Sequence, residues 1–160
     1  MEREKLIENL EKAYNEIRSS HKIKATLDDL DRIFFIKDYV LKDGFVSSKI
    51  SRQIEYRIVE IFMNWNEYLH SLIMPNPQNI LNMSESKILS QDEKKSIIEL
   101  MKKIMELTSR NSIIGLTKDI KEEVKFIDDA VHFWEKEFKN KLLSILKKIN
   151  AEWGKENENL

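Results

Sequence analysis

Turn-making residues are confined to a few places in this chain. Its two prolines stand at positions 75 and 77 and its three glycines at 44, 115 and 154. Proline cannot continue a helix interior and glycine commonly ends one, so the long stretches between them must be elements that need no such breaks. A sandwich or barrel of short strands needs a turn signal about every ten residues. This distribution disfavours it and predicts an all-α chain. Of 160 residues, 41% are apolar, enough to fill one core. The expected architecture is a single-domain antiparallel bundle of four to five helices over residues 1–153, with a frayed tail at 154–160.

Apolar spacing divides the chain into five helical stretches. Leu6, Leu10, Ala13 and Ile17 recur at steps of four, three and four, marking a helix from about 2 to 19. Thr26 with Asp29 reads as a capping box that opens a second helix from about 27 to 42, and Gly44 is its stop. Ser47 or Ser48 caps a long third helix that reaches Met74, where Pro75 and Pro77 end it. Ile54, Ile58, Ile61, Phe62, Trp65, Leu69 and Leu72 form its main face, and Val59, Met63 and Ile73 a second face. Only Gln53, Glu60, Asn64, Glu67 and Ser71 are left as a narrow polar strip. A helix apolar on two sides belongs at the centre of a bundle.

Pro75 to Leu89 reads as an extended connection rich in Asn and Ser. Ser90 and Glu93 form a capping box for a fourth helix to about Ser109, and Arg110 to Gly115 then turns the chain. Thr117, with Asp119 in the first turn, caps a fifth helix that continues to Trp153. Its heptad-like seam of Ile120, Val124, Ile127, Val131, Trp134 and Phe138 is widened by Phe126, Ala130 and Phe133. Beyond Phe138 the stripe drifts around the helix, which predicts a bend or a change of neighbours.

Composition removes several function classes. Without cysteine there is no disulfide, no thiolate nucleophile and no Cys-ligated metal. The 27 Lys and Arg residues are balanced by 28 Asp and Glu, so no global field steers a polyanion toward the chain and nucleic acid is not implied. The first residues lack a signal-type apolar region, and the longest apolar run, Ile33–Ile36, is far short of a membrane span. The expected location is cytoplasmic, with no membrane partner. Phosphate-cradling glycine loops, HExxH and GxSxG are absent, and Ser84-Glu85-Ser86-Lys87 has Ser-x-x-Lys spacing without companion motifs. No cofactor is called for, and no catalytic motif points to an enzyme.

Three sets of residues remain as candidates. Asn66 and His70 share the second face of the third helix, just before the Pro75–Asn79 turn, where Asn76, Gln78 and Asn79 offer amides to a polar ligand or a partner's backbone. Glu67 with His70 and Asp129 with His132 are two carboxylate-x-x-His pairs. Their spacing resembles that of carboxylate-bridged di-iron bundles, which implies a metal site if the pairs converge. His132, however, falls on a polar arc with Lys121, Lys125 and Asp128. Lys139, Lys141, Lys147 and Lys148 make the end of the fifth helix basic after an acidic start; this matches the helix dipole and also offers a patch for an acidic partner or RNA.

The function expected from these observations is a helical interaction or scaffold protein, or a small subunit of a larger complex, that meets a protein partner or a second copy of itself. A metal- or small-ligand-binding bundle is the alternative, and an RNA-binding helical protein the third reading.

Overall fold

The computed structural model describes residues 1–155, whose regular elements are all helices. The elements are α1 (Glu2–His21), α2 (Leu27–Phe34), α3 (Ile36–Asp43), α4 (Ile50–Ile73), α5 (Ile80–Ile88), α6 (Gln91–Thr117), α7 (Ile120–Phe133) and α8 (Lys139–Trp153), with a π-helical turn, Trp134–Phe138, joining the last two. Of the expected tail, Gly154 and Lys155 are exposed, and 156–160 lie outside the described residues. Among the described residues no helix is long and apolar enough to cross a membrane. The eight α-segments exceed the expected four to five for three local reasons.

The expected second helix breaks at Phe35, whose backbone is left-handed with φ 54°. A side chain in that conformation costs roughly 1–2 kcal/mol, and nearby hydrogen bonds hold the break in place. Phe35 N–H closes α2 onto Asp31 O at 2.9 Å, and Asp31 Oδ1 accepts from Lys37 N–H at 2.9 Å at the start of α3. Arg57 Nε donates to Phe34 O at 2.8 Å. Leu30, Ile33, Phe34, Ile36 and Val40 are all buried. On an unbroken helix they would spread over about 160° of the circumference, and the break turns both segments toward one interior.

The second reason lies after the prolines, where the expected extended connection holds α5. Asn79 Oδ1 accepts from Asn82 N–H at 3.1 Å to start it, and buried Ser86 Oγ donates to Leu72 O at 2.7 Å. Trp153 Nε1 donates to Glu85 Oε2 at 3.1 Å. Docking onto α4 and α8 outweighs the few tenths of a kcal/mol per residue by which Asn and Ser disfavour helix. Ser84 and Lys87 therefore sit on a packed helix, the first half-buried and the second exposed.

The third reason is the π turn, which takes an extra residue into the helix and realigns the drifting seam. Its Trp134 and Phe138 rings stack at 5.2 Å.

Helix boundaries follow caps where the caps are local. Both expected capping boxes, Thr26/Asp29 and Ser90/Glu93, are formed. Elsewhere the limits differ: α4 begins only at Ile50, with Ser47 Oγ accepting from Lys49 N–H at 3.0 Å, and Asp119 rather than Thr117 starts α7 by accepting from Lys121 N–H at 3.0 Å. The expected turn at Arg110–Gly115 is helical, and α6 ends at left-handed Lys118. Gly115 serves close approach instead, since a Cβ there would lie 3.0 Å from Arg52 Nη2.

α4 is enclosed by α6 and α7. Arg52 meets Asn111, Met63 meets Thr108 and Asn66 meets Met105, so α6 runs antiparallel to α4. Ser51 meets Glu123 and Phe62 meets Phe133, so α7 runs parallel to it. Phe62 is the hub: its ring lies 5.4 Å from Phe133 and Phe138, 5.6 Å from Phe34 and 6.1 Å from Trp134. These distances suit edge-to-face and tilted aromatic pairs. Phe62→Ala should therefore cost about 3–5 kcal/mol, measured as a lower urea midpoint at unchanged slope; a loss under about 1 kcal/mol would show that the hub is not formed.

Candidate functional site

The first turns of α4 carry polar side chains into the junction with α6 and α7, where they are largely withdrawn from water. Glu55 is fully buried, and the Arg52 side chain retains 12% of its exposure. Arg52 Nη1 donates to Glu55 Oε2 at 2.8 Å and to Asn111 Oδ1 at 2.9 Å. Glu55 Oε1 and Arg110 Nη2 are buried without a partner among the described residues. Burial pushes the Glu55 carboxyl up to about 7; the Arg52 guanidinium offsets part of this, and Glu123 adds to it. For Arg52 burial alone would lower the pKa, but the Tyr56 phenol and the Glu55 carboxylate outweigh it and the group stays cationic.

Two further side chains extend the cluster. Ser51 Oγ donates to Glu123 Oε2 at 2.5 Å, linking α4 to α7. Gln53, expected on the polar strip, is buried and ties down the α3–α4 connection: Nε2 donates to Phe45 O at 3.1 Å and Asp43 Oδ2 at 3.3 Å, and Oε1 accepts from Ser47 N–H at 2.9 Å.

A cleft of about 610 Å³ opens over this cluster. Tyr39 and Asp43 of α3, then Phe45, Ser47 and Lys49 of the connection form one wall. Arg52, Gln53 and Tyr56 of α4, Gly115 and Lys118 at the end of α6, and Ile120 and Glu123 of α7 complete it. The Arg52 guanidinium lies 4.8 Å from the centre of the Tyr56 ring. Aromatic walls over a few fixed polar groups are the usual chemistry of a ligand site.

The residues proposed from sequence lie elsewhere. His70 is exposed rather than set in an apolar face. Asn66 is half-buried, with Nδ2 4.0 Å from Met105 Sδ and Oδ1 unpartnered. The amides after the prolines build their own turn: Asn76 Oδ1 accepts from Gln78 N–H at 3.0 Å, and Asn79 starts α5. Gln78 is exposed.

The two carboxylate-x-x-His pairs do not converge. Ser51 lies level with Glu123 and Phe62 with Phe133, so Glu67 and His70 stand nine residues beyond the level of Asp129 and His132, a separation of about 13 Å along the axis. Asp129 Oδ2 accepts from Arg110 Nη1 at 2.8 Å, and His132 is exposed. Among the described residues no group of three or more His, Asp or Glu is placed to hold a metal ion. Asp128, expected on the solvated arc, instead accepts from Lys24 N–H at 3.0 Å and Ala25 N–H at 2.9 Å. Of the basic set, Lys148 is bonded to Glu93, Lys141 lies beside Glu99 and Glu137, and Lys139 and Lys147 are exposed.

Sequence reasoning missed Arg52, Glu55, Asn111 and Glu123. One signal was present: an Arg and a Glu three positions apart near the start of a helix expected to be apolar on two sides. The chain matches no family model, no curated protein and no solved structure.

Glu55 makes stability depend on pH with a definite sign. Its carboxyl titrates near 7 in the fold against an ordinary value of 4.5, so the folded state holds the proton more tightly and loses stability as pH rises from about 4.5 to about 7. Glu55→Gln keeps the shape without the charge. The melting temperature of the variant relative to the wild type should climb across that window and level off above it. Parallel curves would show that Glu55 titrates normally.

Proposed function

We propose that this chain is a binding protein whose cleft between α3, α4, α6 and α7 takes a small organic ligand. The observation that carries the reading is the union of an open, aromatic-walled cleft with a buried Arg52–Glu55–Asn111 floor. Burying an ion pair is costly to a fold and often stabilises less than apolar packing would. Fixed polar groups beneath a concave apolar surface are what orientation of a ligand requires. Phe45 and Tyr56 are more than half exposed, at 56% and 54%, so their rings contribute little to the core and are free to cover a ligand.

The test is a screen of small aryl and alkyl compounds by thermal shift and amide NMR. A ligand present at a hundred times its Kd adds about 2.7 kcal/mol, a rise of roughly 5–10 °C for a chain of this size. The shifted amides should include Gly115 and Ile120. Phe45→Ala and Tyr56→Ala should weaken binding about tenfold while moving the ligand-free melting temperature by only a few degrees. Hits that shift only residues outside the cleft would overturn the reading.

A protein-interaction role is the second reading, supported by the exposure of Met74, Ile80 and Leu81 on both sides of the proline turn. Apolar side chains grouped in this way mark contact surfaces more often than isolated ones do. It predicts self-association that Leu81→Asp abolishes, read as molar mass by light scattering. A monomer at every concentration would remove self-association as its basis.

A further inference from the structure

The floor of the cleft discriminates between ligands by charge and shape. Resting on the cleft as the binding site, the geometry points to a monoanionic carboxylate on an apolar body as the ligand class, gripped by the outer edge of the Arg52 guanidinium.

A guanidinium presents its donors as a rigid fork. Nη1 of Arg52 is committed to Glu55 and Asn111, whereas Nε and Nη2 bind no carboxylate, amide or carbonyl among the described residues, with the Tyr56 phenol as a further polar neighbour of the guanidinium, and neither is sealed from solvent. Those two N–H groups form the parallel pair that matches the two oxygens of a carboxylate. The edge is set before any ligand arrives. Glu55 and Asn111 hold it from behind, Tyr56 lies against its face at 4.8 Å, and Gly115 leaves the room that a Cβ, 3.0 Å from Nη2, would remove. A preset donor pair reduces the ordering cost of binding.

Charge on the walls limits the anion. Lys49, Arg52 and Lys118 face Asp43 and Glu123, with Glu55 paired to Arg52 beneath them, so the site carries one net positive charge when Glu55 holds its proton and is neutral when Glu55 is ionised. A monoanion balances that charge; a phosphate dianion would meet two carboxylates with no further cation to offset them. A cationic ligand gains little, because Glu123 Oε2 already accepts from Ser51. Exposed Phe45 and Tyr56 then supply cover for an apolar body.

The experiment compares 3-phenylpropionate with its neutral amide, 3-phenylpropanamide, and with inorganic phosphate, by amide and Arg Nε–H NMR of the full chain. The carboxylate should shift Gly115 N–H and Arg52 Nε–H and bind at least about tenfold more tightly than the amide. Arg52→Lys, which keeps the charge and loses the fork, should erase most of that preference. Because the pair of ligands is compared first on the unaltered chain, the result stands even if the variant folds poorly. Equal binding of amide and carboxylate within the cleft would overturn the carboxylate and leave the cleft reading intact. Phosphate binding as tightly as the carboxylate at the same resonances would overturn the apolar body. If neither organic probe moves a cleft resonance, the carboxylate inference falls; the broader cleft reading then falls only if the thermal-shift screen also yields no cleft ligand.

Discussion

Enclosure of α4 between α6 and α7 is the constraint on which the rest depends. A helix covered on two sides must bury whatever its sequence places on those sides, polar residues included. Midway along α4 this brings Phe62 among Phe34, Phe133, Trp134 and Phe138, a cluster held by area and ring geometry. Toward its N-terminus the same enclosure takes Glu55 out of water entirely. An isolated carboxylate there would cost several kcal/mol, so the position of Arg52 and the amide of Asn111 become necessities of the fold.

Local irregularities aim the pieces that border the cleft. The break at Phe35 gives α3 a direction of its own, and Tyr39 and Asp43 of that helix reach the cleft wall. Gln53 then secures the returning chain through Asp43, Phe45 and Ser47. On the far side, left-handed Lys118 reverses the chain between α6 and α7, bringing Gly115, Ile120 and Glu123 to one rim. Each irregularity costs a little local free energy that packing recovers elsewhere.

Legibility in the sequence was uneven, and the unevenness has physical causes. Capping boxes and apolar stripes are readable because the interacting residues lie within one or two turns of each other. Face assignments fail where two stripes compete: spacing puts Gln53 with solvent and the structure buries it, and spacing puts His70 in an apolar face and the structure exposes it. Pro75–Leu89 reads as an extended connection because Asn and Ser density is a local signal, whereas the docking of Ser86 on Leu72 O and of Glu85 on Trp153 is not. None of the cleft residues was singled out as a candidate, since a cleft belongs to four segments at once.

By itself the sequence determined helical content, the two capping boxes and most of the buried stripe, all consequences of spacing along a single chain segment. The tertiary structure alone decided the register between helices. That register separates Glu67 and His70 from Asp129 and His132, joins Arg52 to Asn111 and Ser51 to Glu123, and opens the cleft above them. The reason is that register is set by side chains far apart in sequence, packing together at a cost in chain entropy that no local pattern records.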